Sequence, residues 1–146
     1  MHLIVYHSKS MIAPEAFDDE LKKIYATCTR NNVSREVTGV LLHEGGYFVQ
    51  LLEGEKENLE EVMARVTRDA RHTDIVLVVD EPIEQRQFPD WAMETFYLSN
   101  PEILQASTLK NLRDIYLNSN KMESSKFVLF LKEMLDQIDV FNIRNP

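Results

Sequence analysis

The sequence is short of the residues that most catalytic chemistry requires. It has one cysteine, Cys28, so no disulfide can close within the chain. Cys28 falls on an apolar helix face, where a small packed thiol is the ordinary outcome. The four glycines form no phosphate-cradling loop. The histidines, His2, His7, His43 and His72, show no paired spacing, so there is no metal-ligand pattern. No Gly-x-Ser-x-Gly elbow occurs. No apolar run approaches the ~18 residues that span a bilayer. The first residues, "MHLIVYHSKS", enter a strand-like pattern without the basic and apolar regions of a secretory leader. Positive charge is scarce too: 16 Lys and Arg against 24 Asp and Glu leave a net charge of -8, with no dense basic run. Such a surface repels a phosphate backbone. The expectation is a cytoplasmic, non-enzymatic protein that binds neither nucleic acid nor a membrane.

What is present is an ordinary globular composition. The chain has 146 residues, 44% of them apolar and 27% charged, enough for one domain with a real core. Residues 2–8 read as a strand. Phe17, Leu21, Ile24 and Cys28 keep a helical period, predicting a helix over 14–31 with Pro14 in its first turn. "REVTGVLLH" and "YFVQLLE" read as a hairpin joined through "EGG". Leu59, Val62, Met63 and Val66 predict a helix over 56–70. "DIVLVVDEP" shows little polar alternation, predicting a central strand. After the break at "FPD", "WAMETFYL" reads as a fifth strand. The layout is α+β, ferredoxin-like βαββαβ plus a fifth strand.

The last third differs in character. Asn100 and Pro101 read as N-cap and first turn of a helix with Leu104, Thr108, Leu112 and Ile115 on one side. After the polar connector "LNSNKMESS", Phe127, Phe130, Leu131, Met134, Ile138 and Phe141 form a strongly apolar stripe. These two C-terminal helices are expected to cover the second sheet face or to pack on another subunit. The expected division is 1–98 and 99–146.

One residue in "YFVQLLEG" is out of place. Gln50 sits in a strand that is apolar on both faces, and a buried carboxamide without partners costs about 1–3 kcal/mol. Tyr6 is similarly placed in the first strand, and Asn31 and Asn32 stand where the first helix is expected to end. Each has a plain structural explanation: a tyrosine bonded to a carbonyl, a glutamine to backbone, an asparagine as helix cap. Together they describe a pocket between the first two helices that presents carboxamides. A carboxamide both donates and accepts, so such a set matches a heterocycle edge that alternates C=O and N–H, as in flavin or a uracil-like base. Ile24 and Val66 could clamp a flat ring.

These pieces, in this order, resemble the BLUF domains, blue-light sensors that use flavin adenine dinucleotide. The resemblance covers residues 2–98 and rests on "LIVYHS", "RNNVSREVTGVLL", "YFVQLLEGE", "RVTRDARH" and "FPDWAM". It looks like the short, stand-alone subclass with two C-terminal helices. It implies FAD as cofactor, with FMN or riboflavin as alternatives. Tyr6 and Gln50 would be photoactive, with Trp91 or Met93 beside them. Asn32 would hold the ring's carbonyl and N3 edge with help from Asn31. Arg65, Asp69 and His72 would meet the ribityl-phosphate tail. For Arg65 and Asp69 the plain alternative is an i,i+4 ion pair. Blue light would drive an electron and a proton from Tyr6 to the flavin, and Gln50 would rearrange its hydrogen bonds. A downstream protein partner and a homo-oligomer are implied. Cys28 departs from the serine many relatives carry near the ring. The competing readings are a light-inactive flavin or small-ligand module and an RNA-binding module with Tyr6 and Phe48 as stacking aromatics.

Overall fold

Gly45 and Gly46 take φ of +60° and +83°, the two positive values a tight two-residue hairpin turn requires. They set Glu44 opposite Tyr47 and fix the register of the strands on either side, with Leu41 facing Gln50. A computed structural model describes residues 1–118 and 121–138. Its elements are β1 (His2–Ser10), α1 (Phe17–Ser34), β2 (Thr38–Glu44), β3 (Tyr47–Gly54), α2 (Lys56–Val66), β4 (His72–Pro82), β5 (Glu94–Leu98), α3 (Ala106–Asn118) and α4 (Ser124–Ile138). The sheet order is β4-β1-β3-β2-β5. The first four strands are antiparallel neighbours in the ferredoxin-like arrangement, and β5 adds parallel to β2. Among the described residues no helix is long and apolar enough to cross a membrane.

Strand alternation sends side chains to two separate cores. Ile4, Tyr6, Leu41, Phe48 and Leu52 meet Phe17, Leu21 and Ile24 of α1 and Leu59 and Val62 of α2. Leu3, Val5, Val40, Leu42, Val49 and Leu51 point the other way, onto Leu112 and Ile115 of α3 and Phe127, Leu131, Met134 and Ile138 of α4. The C-terminal helices therefore cover the second face of the same sheet. Phe141 of the expected stripe lies outside the described residues.

Several expected elements change in detail. Pro14 opens a 3-10 turn, Pro14–Ala16, and α1 begins at Phe17 and runs on to Ser34, so Asn31 and Asn32 lie inside the helix. It ends in a two-bond C-terminal turn: Glu36 N–H donates to the Val33 carbonyl and Val37 N–H to the Asn32 carbonyl. Helix α2 stops at Val66, not at residue 70. Asn100 does cap, accepting from Glu102 N–H at 3.2 Å, but the element it caps is a 3-10 turn, and α3 starts at Ala106. Strand β4 was expected at the centre and is an edge. Register shifts between β1 and β4 let adjacent Val78 and Val79 both reach the second core, so an unbroken apolar run arises without two-sided burial. The connector before α4 blunts this edge: Met122 N–H donates to the Val78 carbonyl at 3.0 Å, and Glu81 accepts from Ser124 N–H at 2.5 Å.

Candidate functional site

Tyr6 and Gln50 are opposite each other in the β1–β3 register and both are buried on the α1/α2 face. The Tyr6 hydroxyl donates to Gln50 Oε1. Gln50 Nε2 donates to Met93 Sδ at 3.4 Å. A thioether sulfur only accepts, so the amide nitrogen must face Met93 and the amide oxygen must face Tyr6. Burial, with smaller contributions from Cys28 and Asp69, pushes the Tyr6 phenol far above its ordinary pKa, so it stays protonated and donates. The second N–H of Gln50 has no partner among the described residues, and Gln50 lines a pocket.

That pocket lies between α1 and α2. Its volume is about 60 Å³, below the roughly 300–1,000 Å³ usual for small-molecule sites, so a ring of flavin size enters only if α1 and α2 move apart. Ile24, Leu41, Phe48 and Val66 supply apolar walls. Tyr6, Gln50, Cys28, Asp69, Arg71 and His72 supply the polar groups. The Cys28 thiol is pushed up to about 11, chiefly by burial, so it is a neutral wall rather than a nucleophile. In chemistry this lining suits a flat ring with a polar edge, since the walls are apolar and an unsatisfied amide N–H is available.

Six of the anticipated residues, Tyr6, Ile24, Gln50, Val66, Asp69 and His72, are thus gathered around one pocket. Asn31, Asn32, Arg65, Trp91 and Met93 do not line it. Asn32 is buried and its Nδ2 donates to the Ala92 carbonyl at 3.2 Å. Asn31 is half-buried, and its carbonyl accepts from Ser34 Oγ and Arg35 Nη1. His72 Nε2 donates to the Val66 carbonyl at 2.6 Å, and Nδ1 bonds Ser8 Oγ at 2.7 Å. Both nitrogens are therefore committed to fastening β4 to β1 and to the end of α2.

The ion pair considered for Arg65 and Asp69 is not formed. Asp69 lies beyond the end of α2, and Arg71 grips it with two parallel bonds, Nε to Oδ1 at 2.9 Å and Nη2 to Oδ2 at 2.6 Å. That contact holds the Asp69 carboxyl below its usual range and raises Arg71. Arg65 is exposed. Arg71 is the charged pocket residue that sequence reasoning missed, along with the apolar walls Leu41 and Phe48. The signal was its place two residues after Asp69, hidden by extending the helix to residue 70. Trp91 and Met93 precede β5, so they do not share a strand face. Met93 is buried on the pocket side. Trp91 packs on the opposite core, its ring 5.2 Å from Phe88 and 6.1 Å from Phe96.

The protein is of the ferredoxin-like α+β class, with a buried Tyr–Gln pair beside an apolar pocket. Residues 1–94 match the family described as sensors of blue-light using FAD, and the chain belongs to that BLUF family. It is 40% identical over 75 residues to photoactivated adenylate cyclase subunit beta of Euglena gracilis, a match covering 51% of this chain and 9% of that protein. It is 35% identical over 95 residues to the blue light- and temperature-regulated antirepressor BluF of Escherichia coli, covering 61% of this chain and 24% of the relative. The chain thus spans only a small part of these relatives. Among solved structures it is similar to BlrB, a BLUF protein in its dark state, at 26% identity and TM-score 0.73, covering 90% of this chain and 95% of that one. It is also similar to BlsA in its photo-activated state, at 25% identity and TM-score 0.75, covering 92% and 95%.

Proposed function

We propose that flavin occupies the α1/α2 pocket of this blue-light sensor, with Tyr6 and Gln50 as its switch. The observation that carries the reading is the directed chain Tyr6 hydroxyl to Gln50 Oε1, Gln50 Nε2 to Met93 Sδ, inside an apolar pocket. FAD is the proposed cofactor; FMN and riboflavin share its ring and edge. Residues 1–98 are the sensor and 99–146 the output region, acting on a downstream protein partner in a homo-oligomer.

When bound, flavin supplies a one-electron oxidant driven by blue light. With that group bound, Tyr6 would supply the electron and release its phenolic proton along the bond to Gln50 Oε1. Return of both would restore Tyr6 and leave Gln50 rotated or tautomerised. A half-turn of the amide sets its oxygen against the Met93 sulfur, acceptor against acceptor. The rotated form is therefore disfavoured unless Met93 moves. Gln50 is bistable, and signalling is a shift between two populations passed on through residues 91–98.

The test is a light-minus-dark absorption spectrum of the purified protein. The expected result is yellow protein with a small, reversible red shift. Tyr6→Phe should keep its flavin and its fold, losing about 0.5–1.5 kcal/mol for one hydrogen bond, and should show no red shift. Gln50→Leu should be equally blind by removal of the rotating group. A reversible red shift of wild-type size in either variant overturns the relay. Bound flavin with no shift in the wild type makes the protein a passive flavin binder and overturns the reading.

A further inference from the structure

We propose that Glu53 and Arg86 are positioning residues that hold Met93 against Gln50 and so set how long the light-adapted state lasts. This rests on the photoreceptor reading above. Glu53 is wholly buried near the end of β3. A buried carboxylate is costly unless several donors meet it. Its donors are backbone: Gln87 N–H at 2.6 Å and Phe88 N–H at 2.9 Å, with the Thr38 hydroxyl at 3.4 Å. Arg86, the preceding residue, donates to the Glu53 carbonyl and to Thr38 Oγ1, each at 2.9 Å, and to the Glu36 carbonyl. Residues 86–88, which have no regular structure, are thus clasped to β2, β3 and the turn after α1.

The other end of this segment is held differently. Gly39 N–H donates to the Trp91 carbonyl at 2.8 Å, Asn32 to the Ala92 carbonyl, and Gln50 to Met93 Sδ. One of these three donors is the carboxamide proposed to rotate. Residues 86–93 therefore form a strap, fixed at one end by a buried charge and tied at the other to the switch. Between the ends, Phe88 and Trp91 pack into the opposite core. Lys132 of α4 reaches the strap as well, donating to Gln87 Oε1 at 3.2 Å and lying 5.7 Å from the Phe88 ring centre. With the clasp closed, Met93 has little room to leave Gln50. With the clasp open, Met93 withdraws and the rotated amide no longer faces a repelling sulfur.

The experiment is a double-mutant cycle on the rate of dark recovery after a blue flash, with flavin occupancy and thermal midpoint measured alongside. Glu53→Gln keeps the shape and one acceptor oxygen but loses the second. It should retain flavin and the full red shift and slow recovery about tenfold, a barrier change of about 1.4 kcal/mol. In a Met93→Ala background the same substitution should change recovery by less than about twofold, because coupled residues are non-additive. Arg86→Met, which keeps the stem of a half-buried side chain, carries the same cycle should Glu53→Gln not fold. Recovery at the wild-type rate, or the same slowing with and without Met93, overturns the proposal. A wild type that shows no red shift fails the photoreceptor reading instead.

Discussion

The two faces of the sheet come from the same strands and do opposite work. Toward α3 and α4, the middle alternate residues of β1, β2 and β3 are aliphatic (Leu3, Val5, Val40, Leu42, Val49, Leu51), with His7, Glu44 and Glu53 at the strand ends, and they close on Leu112, Phe127, Leu131 and Met134, each 2% exposed or less. Toward α1 and α2 the alternate positions include Tyr6, His43 and Gln50, and the helices stand far enough apart to leave a pocket. A switch made of hydrogen bonds needs a neighbour that does not yield, because sub-ångström changes are otherwise absorbed by soft surroundings. For the switch proposed above, the sealed face would be that neighbour. The strap crosses from one face to the other, with Met93 on the pocket side and Trp91 on the sealed side.

The largest effect should come from opening the sealed face. Phe127→Ala should cost about 3–5 kcal/mol, a large part of a total of about 5–15. Chemical denaturation followed by circular dichroism measures it. Ile24→Ala, beside space that already exists, should cost less. Equal losses at the two sites would erase the contrast between the faces.

Acid should act next, and on the pocket face. His43 is buried among Phe17, Phe48 and Tyr97, its ring centre 4.1, 4.9 and 5.4 Å from theirs, and neither nitrogen has a partner among the described residues. Burial lowers its pKa to about 4. The unfolded chain binds a proton near pH 6.5, so between about pH 6.5 and 4 the unfolded state holds more protons and stability falls as pH falls. At pH 5 the loss should be about 2 kcal/mol. His7, buried on the other face, is also lowered by burial and adds in the same direction. His43→Phe should remove the larger share of the pH 7 to pH 5 difference in unfolding free energy. An unchanged difference would show that the charged imidazole is accommodated.

The smallest effect concerns strain beside the strap. Glu36 has φ of +53° in the turn that ends α1, a left-handed position where a side chain costs roughly 1–2 kcal/mol. Glu36→Gly relieves this and gives back part of it as unfolded-chain entropy, about 0.4–1 kcal/mol. The net gain should be about 0.5–1 kcal/mol, or a thermal midpoint higher by about 2–4 °C. A lower midpoint would mean that the Glu36 side chain contributes more than its backbone costs.

Much of the site was legible because strand periodicity is strict. The β1–β3 register that pairs Tyr6 with Gln50 puts both on one face, and helical spacing sets Ile24 with Phe17 and Leu21 over them. The misreadings have one origin in common. Arg71 was hidden, and Trp91 and Met93 were set on one strand face, because α2 and β5 were drawn too long. Helix and strand ends are decided by which backbone groups find partners, and these partners lie far off in the chain: Gly39 for Trp91, Asn32 for Ala92. The central placement of β4 failed for a related reason, since a register shift leaves no trace in an apolar run.

By itself the sequence determined the class. Alternation along strands and helical spacing of apolar residues are local consequences of backbone geometry, and a polar residue that breaks them announces itself. Which way the Gln50 amide points, which of Trp91 and Met93 meets it, and what Glu53 is buried for were decided only in the folded molecule. Each depends on hydrogen-bond partners brought together from 34 to 44 residues apart, Tyr6 with Gln50, Gln50 with Met93 and Glu53 with Gln87, and direction in a hydrogen bond exists only when donor and acceptor are both in place.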